Sequence, residues 1–240
     1  MPADNAMGTA TTLQRLRRSL VDSAGTIVFG MEDGTVSIFG LIFGVAATTT
    51  NTKTVLIAGA SGAVAAAVSM MAGAYLDVET TRDEINAKRA HLQDVLALDA
   101  GAAVTSLSHR LSEAGLTQEQ SSALAGAVGR DRNALAGLLL ALQHPPEAPP
   151  SPWEQALWML LADFLAAAVP ILPFVFLPLP LARAVSGVFT TGLLIGLGIG
   201  RARIANRGTI QTVAETVSIG VAAALAGVGI SVLIDHAFYA

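Results

Sequence analysis

Apolar residues in this chain gather in long uncharged windows rather than in short alternating runs. Five such windows occupy residues 34–52, 54–76, 155–182, 184–200 and 216–234. A bilayer's hydrocarbon core is about 30 Å thick and takes roughly 20 helical residues to cross. Each window therefore predicts a membrane-spanning helix, and the fold class is an all-α polytopic membrane protein with five transmembrane helices. The first window extends back through Thr26-Ile27-Val28-Phe29 if Glu32 and Asp33 are tolerated inside it, and the third is interrupted only by Asp163. The first span is not read as a secretory leader, because it starts late, holds two acids and has no convincing cleavage site before the next span. Pro170, Pro173, Pro178 and Pro180 are expected to break the third span toward its outer end.

Between spans two and three the pattern changes. Val78, Ile85 and Leu92 recur every seven residues and Leu96 follows four later, so span two is expected to run on into water as one helix from 54 to 98. At 1.5 Å per residue such a helix is about 67 Å long, roughly twice the hydrocarbon thickness. A short helix should then end near Ala114, before Gly115. Thr117 and Gln120 form a Thr-x-x-Gln capping box that starts the next, and Asp131 is placed to cap a third running to Gln143. The Pro-rich stretch 145–152 returns the chain to the membrane at Trp153 and Trp158, which read as interfacial anchors. At the other end, Leu13, Leu16 and Leu20 share one helical face, with Arg15, Arg17 and Arg18 elsewhere. That segment either lies on the inner leaflet as an amphipathic helix or packs on the insert. The predicted organisation is an amphipathic segment over 1–24, transmembrane helices 1 and 2 over 25–76, a cytoplasmic helical insert over 77–152 and transmembrane helices 3 to 5 over 153–240.

Composition agrees, since 52% of residues are hydrophobic and only 13% charged, with a mean hydropathy of +0.58, against about 25% charge in a soluble domain. Of the 14 Lys and Arg residues, all but Lys53 and Arg183 fall before span one, in the insert, or between spans four and five. Positive residues stay on the cytoplasmic side, so the N-terminus and insert are expected in the cytoplasm and the C-terminus across the membrane. The excess of Arg over Lys in an Ala-rich chain hints at a GC-rich bacterium, hence a bacterial plasma membrane. With no cysteine, disulfides and thiolate chemistry are excluded. A net charge of −4 and scattered basic residues give no nucleic-acid signal. No Gly-rich phosphate loop, His-Glu-x-x-His or nucleophile elbow occurs, so neither an enzyme nor a resident cofactor is expected.

The acids inside apolar windows carry the candidate chemistry. Asp33, between Glu32 and Gly34, is a functional candidate because an ionised carboxylate in a bilayer must be paired, hydrated or bound to a cation. The alternative is that span one starts after Asp33 and leaves both acids at the interface. Met70 and Met71 are ordinary packing residues or, near a carboxylate, soft ligands for a borderline divalent metal. Glu215 opens span five, where a helix dipole also favours an acid. Asp163, about ten residues into span three, is either a metal-path residue or the partner of a hydroxyl or cation on a neighbouring helix. Glycines four apart, Gly40/Gly44 and Gly192/Gly196/Gly200, are read as close helix packing within one chain.

The order of these features resembles the vacuolar iron transporter (VIT) family. The resemblance rests on Gly30-Met31-Glu32-Asp33-Gly34-Thr35-Val36-Ser37 followed by Phe39-Gly40 and Gly44-Val45-Ala46, on Ser69-Met70-Met71-Ala72-Gly73-Ala74-Tyr75-Leu76, and on Pro170-Ile171-Leu172-Pro173-Phe174. It implies a homodimer that exports Fe2+ or Mn2+ from the cytosol in exchange for protons, with Asp33 and Met70 lining the metal path. Glu215 matches an acid at the start of the family's last span. Glu32, Met71 and Asp163 complete the candidate set. Two departures stand out: Ala74 and Gly62 occupy positions where relatives often carry Glu, and residues 85–116 hold only Asp94, Asp99 and Glu113 where the family insert is rich in metal-binding glutamates. The alternative function is therefore a non-transporting relative whose insert is an interaction or sensory module, docking through Leu138, Leu139, Leu140 and Leu142.

Overall fold

Gly30, Gly34, Gly40 and Gly44 all fall in one uninterrupted helix, α1 (Ala24–Thr48), which the rest of the membrane part packs around. The computed structural model describes residues 14, 17, 19–143 and 151–239. From Ala24 onward the described elements are helices: α1, α2 (Thr52–Leu98), α3 (Ala100–Glu113), α4 (Gln118–Val128), α5 (Arg132–Gln143), α6 (Pro152–Phe176), α7 (Leu179–Ile204) and α8 (Thr209–Tyr239). Five of them, α1, α2, α6, α7 and α8, are long and apolar enough to cross a membrane. The chain divides into two compact units, one of residues 1–76 with 150–240 and one of residues 77–149.

In the first unit, glycines decide how near the backbones come. A Cβ added at Gly34 would collide with the backbone carbonyl of Asp163 on α6. One at Gly44 would stand 2.6 Å from the Gly227 carbonyl oxygen and 2.8 Å from Ser231 Oγ on α8. Without a hydrophobic driving force between helices in lipid, such close approach is what van der Waals association uses. Higher along α1, Ile38, Ile42 and Ala46 form a core with Val55 and Ala63 of α2, Ala167 and Phe174 of α6, and Ala182 of α7. The Gly40/Gly44 reading thus holds within one chain. Gly192, Gly196 and Gly200 differ, because nothing lies within 4 Å of an added Cβ at any of them. Their face of α7 is open, and Gly198 instead meets Val213 of α8.

Helix α1 begins at Ala24, the earlier of the two starts the sequence allowed, so Glu32 and Asp33 sit inside it. Two boundaries differ from expectation, and the first is α8, which begins at Thr209, seven positions before the uncharged window. Helix α6 runs through Pro170 and Pro173 to Phe176, and the break comes at Leu177 and Pro178. Leaving the helix earlier would strand more backbone groups in hydrocarbon than the prolines themselves do. Leu177, preceding Pro178, is extended at φ −122° and ψ 150°, the conformation a following proline imposes. The Pro170 carbonyl accepts a further bond from Ser186 Oγ of α7 at 2.8 Å. At the start of α6, Trp153 stacks on Tyr75 with centroids 4.8 Å apart, and Trp158 Nε1 donates to Ser19 Oγ at 2.8 Å. The amphipathic segment's Leu13, Arg15, Leu16 and Arg18, and the 145–150 part of the Pro-rich linker, lie outside the described residues.

The second unit packs α3, α4 and α5 around Leu107, Leu111, Ala125, Leu135 and Leu139, with Leu92 of α2 against them. Its caps are those the sequence spells out. Thr117 and Gln120 exchange both capping-box bonds, and Asp131 Oδ1 accepts from the Asn133 and Ala134 amides at 2.8 and 3.3 Å. Gly115 holds φ +101° at the turn between α3 and α4. Of the leucines expected to form a docking patch, Leu139 is 2% exposed and belongs to the core, with Leu138 packed against it, whereas Leu142 is exposed. Adjacent residues on a helix turn by about 100°, so the bundle takes Leu139 fully inward and Leu138 only in part.

Because Gly44 faces backbone rather than a flexible side-chain end, Gly44→Leu is expected to push α8 off α1. Overpacking of this kind costs about 1–3 kcal/mol, read as a lower melting temperature in detergent by Trp fluorescence. Gly192→Leu, on the open face of α7, is expected to leave the melting temperature unchanged.

Candidate functional site

Successive helical residues turn by about 100°, so Glu32 lies about 200° around α1 from Gly30. The glycine contacts therefore fix where the acids go. With Gly30 and Gly34 turned onto Met159 and Asp163 of α6, Glu32 faces the other way, and Asp33, about 60° around the helix from Gly30 and about 100° from Gly34, stands between the two directions. There they line a cavity of about 380 Å³ with Val28, Phe29 and Val36 of α1, Arg201 and Ile204 of α7, and Thr216 and Ile219 of α8. Every wall residue belongs to the membrane unit.

Within this cavity Glu32 is held at both carboxylate oxygens. Thr216 Oγ1 donates to Oε1 at 2.9 Å, and the Arg201 guanidinium reaches Oε2 through Nη1 at 3.4 Å. The Glu32 side chain is 15% exposed and that of Arg201 37%. Thr216 is buried, so it has little alternative to this bond. Asp33, one position on, shares the cavity wall. The polar part of the lining is thus two carboxylates, one guanidinium and one hydroxyl.

Asp163 lies behind this wall. It belongs to the buried stripe of α6 with Met159, Ala162, Ala166 and Ala167, it is fully buried, and neither carboxylate oxygen has a hydrogen-bond partner. Its Oδ1 would stand 2.9 Å from a Cβ at Gly34, which sets it against α1 next to Asp33. The hydroxyl or cation partner expected from sequence is not among the described residues. A buried carboxylate without a partner is expensive, so Asp163 stands out among the buried residues of α6.

Other candidates fall elsewhere. Met70 and Met71 are half-buried on α2 and are not part of the cavity wall. Glu215 is in the second turn of α8, where Arg207 Nη1 lies 3.5 Å from Oε2 and Gln211 Nε2 donates to Oε1 at 3.2 Å. Its neighbour Thr216, one position on and so turned by about 100°, is the residue that faces the cavity. Among the described residues, no three His, Cys, Asp or Glu side chains come close enough together to hold a metal ion, and this covers the described acids of the 77–149 unit.

Sequence reading passed over Arg201 and Thr216. Arg201 entered only as a topogenic charge and Thr216 only as the edge of an apolar window. The pairs they make with Glu32 join positions 169 and 184 residues apart, and no local pattern announces such a pair.

The VIT family model matches residues 24–232. Among curated proteins, "Vacuolar iron transporter 1" of Arabidopsis thaliana is 22% identical over 215 residues, covering 88% of this chain and 85% of its own length. "Vacuolar iron transporter" of Centaurea cyanus is 23% identical over 211 residues, with 85% of each chain covered. "Vacuolar iron transporter 2" of Oryza sativa subsp. japonica is 25% identical over 210 residues, again with 85% of each covered.

Thr216→Val keeps the shape and removes the donor to Glu32. Side-chain hydrogen bonds between membrane helices average about 0.6 kcal/mol and reach roughly 1.7, so a loss of about 1 kcal/mol is expected, measured by unfolding in detergent. Thr216→Ser, which restores the hydroxyl, is expected to recover most of it.

Proposed function

This chain belongs to the VIT family, and on that premise we propose that it carries a divalent transition-metal ion, Fe2+ or Mn2+, out of the cytosol in exchange for protons. The observation that carries the reading is the Glu32-Asp33 pair on α1, lining a cavity within a helix of membrane-crossing length. Two carboxylates match the charge of a divalent ion, and ionisable residues in such a helix mark ion pathways by default. Iron is also the metal for which the relatives are named.

In this reading Asp33 binds the ion and releases it when protonated, so one carboxylate holds either metal or proton and exchange follows. Glu32 adds a second carboxylate and Asp163 a further one behind Gly34. Met70, with Met71 beside it, supplies a thioether that favours transition metals over Mg2+. Glu215 stands near the entrance and raises the local concentration of cations. The working unit is a homodimer with the ion path at the seam, where a second copy adds the donors that one chain's described residues do not gather. The N-terminus faces the cytoplasm, in keeping with the side on which Arg and Lys concentrate, and the membrane is a bacterial plasma membrane. The alternative of a non-transporting relative that docks through its insert loses support from the burial of Leu139.

Uptake of Mn2+ and Fe2+ into proteoliposomes, with and without a pH gradient, tests the proposal. Wild-type protein is expected to show gradient-dependent flux. Asp33→Asn is expected to cut that flux at least tenfold, a loss of about 1.4 kcal/mol or more in transition-state stabilisation, while its melting temperature holds. Full transport by Asp33→Asn overturns its role, and no flux from folded wild-type protein overturns the transporter reading.

A further inference from the structure

The cavity that holds the acid pair is also lined by a fixed positive charge. Arg201 Nη1 lies 3.4 Å from Glu32 Oε2, longer than the 2.7–2.9 Å usual for a strong charge-assisted bond. The opposite oxygen of Glu32 is fixed at 2.9 Å by Thr216. Glu32 is thus positioned whether or not the arginine is in contact, and the arginine end of the pair is the loose one. Arg201 is more than one-third exposed and sits in the last turn of α7, four residues before the Ala205 cap and five before Asn206, whose φ is +50°. Its long side chain therefore has somewhere to go without disturbing α1.

Charge counting gives this looseness a consequence. With Arg201 on Glu32, the cavity lining carries two negative charges and one positive. With Arg201 swung away, the two carboxylates alone remain and match a divalent ion. A guanidinium and a divalent cation cannot share one carboxylate oxygen at contact distance, because both are cationic and Coulomb repulsion between them rises as 1/r.

We propose that Arg201 is a tethered counter-cation that occupies Glu32 when the cavity is empty and is displaced when a divalent metal ion binds, so that cavity occupancy decides whether α1 and α7 are linked by charge. The proposal rests on the metal-transport reading above and adds to it the regulation of that same site. Arg201 acts through Glu32 and is a positioning residue. On release of the ion, its return to Glu32 helps expel the metal.

Removing the competitor should then tighten binding and slow turnover together. If Glu32 is free in about one copy in five, the apparent affinity is weakened about fivefold by the competition, and Arg201→Gln is expected to lower KM for Mn2+ by about that factor while also lowering the maximal rate. Arg201→Lys, which keeps the charge, is expected to return both values toward wild type. In a Glu32→Gln background, Arg201→Gln should no longer tighten KM. A merely structural ion pair predicts none of this split. In wild-type protein, phenylglyoxal labelling of Arg201, read by peptide mass spectrometry, is expected to speed up on adding Mn2+ and not on adding Na+ at equal ionic strength, which needs no variant to fold. Unchanged or raised KM in folded Arg201→Gln, or Mn2+-independent labelling, overturns this inference while leaving transport intact. Absence of flux from wild-type protein overturns both.

Discussion

Close contact between the backbones of α1 and its neighbours is the constraint on which the membrane unit depends. Gly34 lies against the Asp163 carbonyl and Gly44 against that of Gly227, so α1 touches α6 and α8 with no side chain between. Helix geometry then ties the acids to that packing. Once Gly30 and Gly34 are turned to α6, Glu32 at about 200° points away from it into the cavity shared with α7 and α8, and Asp33 lines the same cavity from the side between the two directions. Packing and chemistry are two sides of one helix, and a change that rotates α1 to relieve the glycine contacts also moves the acids.

The polar groups near that helix are arranged in tiers of satisfaction. Glu32 has partners for both oxygens, Glu215 is engaged by Arg207 and Gln211, and Asp163 has neither oxygen bonded. In an apolar surrounding, a carboxylate without donors is the one with most to gain from a cation. A site whose acids were all fully paired would bind tightly to itself and poorly to cargo. Partial satisfaction, with Arg201 as the detachable partner, suits a protein that must take up an ion and let it go.

The 77–149 unit shows the opposite balance. Leu107, Leu111, Leu135 and Leu139 form its core while Leu124 and Leu142 stay exposed, its helix ends are capped by Thr117 and Asp131, and no three of its acids come together among the described residues. It therefore packs around a leucine core of its own.

The five spans, the long α2 and both caps of the insert were legible in the sequence, because each follows from local rules: the length of an uncharged window, heptad spacing, and side chains that bond their own backbone three residues away. Asp33 and Asp163 were legible as candidates because charge in an apolar run is conspicuous on its own. Tertiary structure alone decided which of the candidates meet. It carried α6 through Pro170 and Pro173, opened the Gly192/Gly196/Gly200 face, drew Leu139 inward, left Met70 and Glu215 off the cavity wall, and brought Arg201 and Thr216 to Glu32. Contacts across 169 and 184 residues depend on how whole helices rotate against one another, and that rotation is set by the summed packing of small residues, which no local window of sequence encodes.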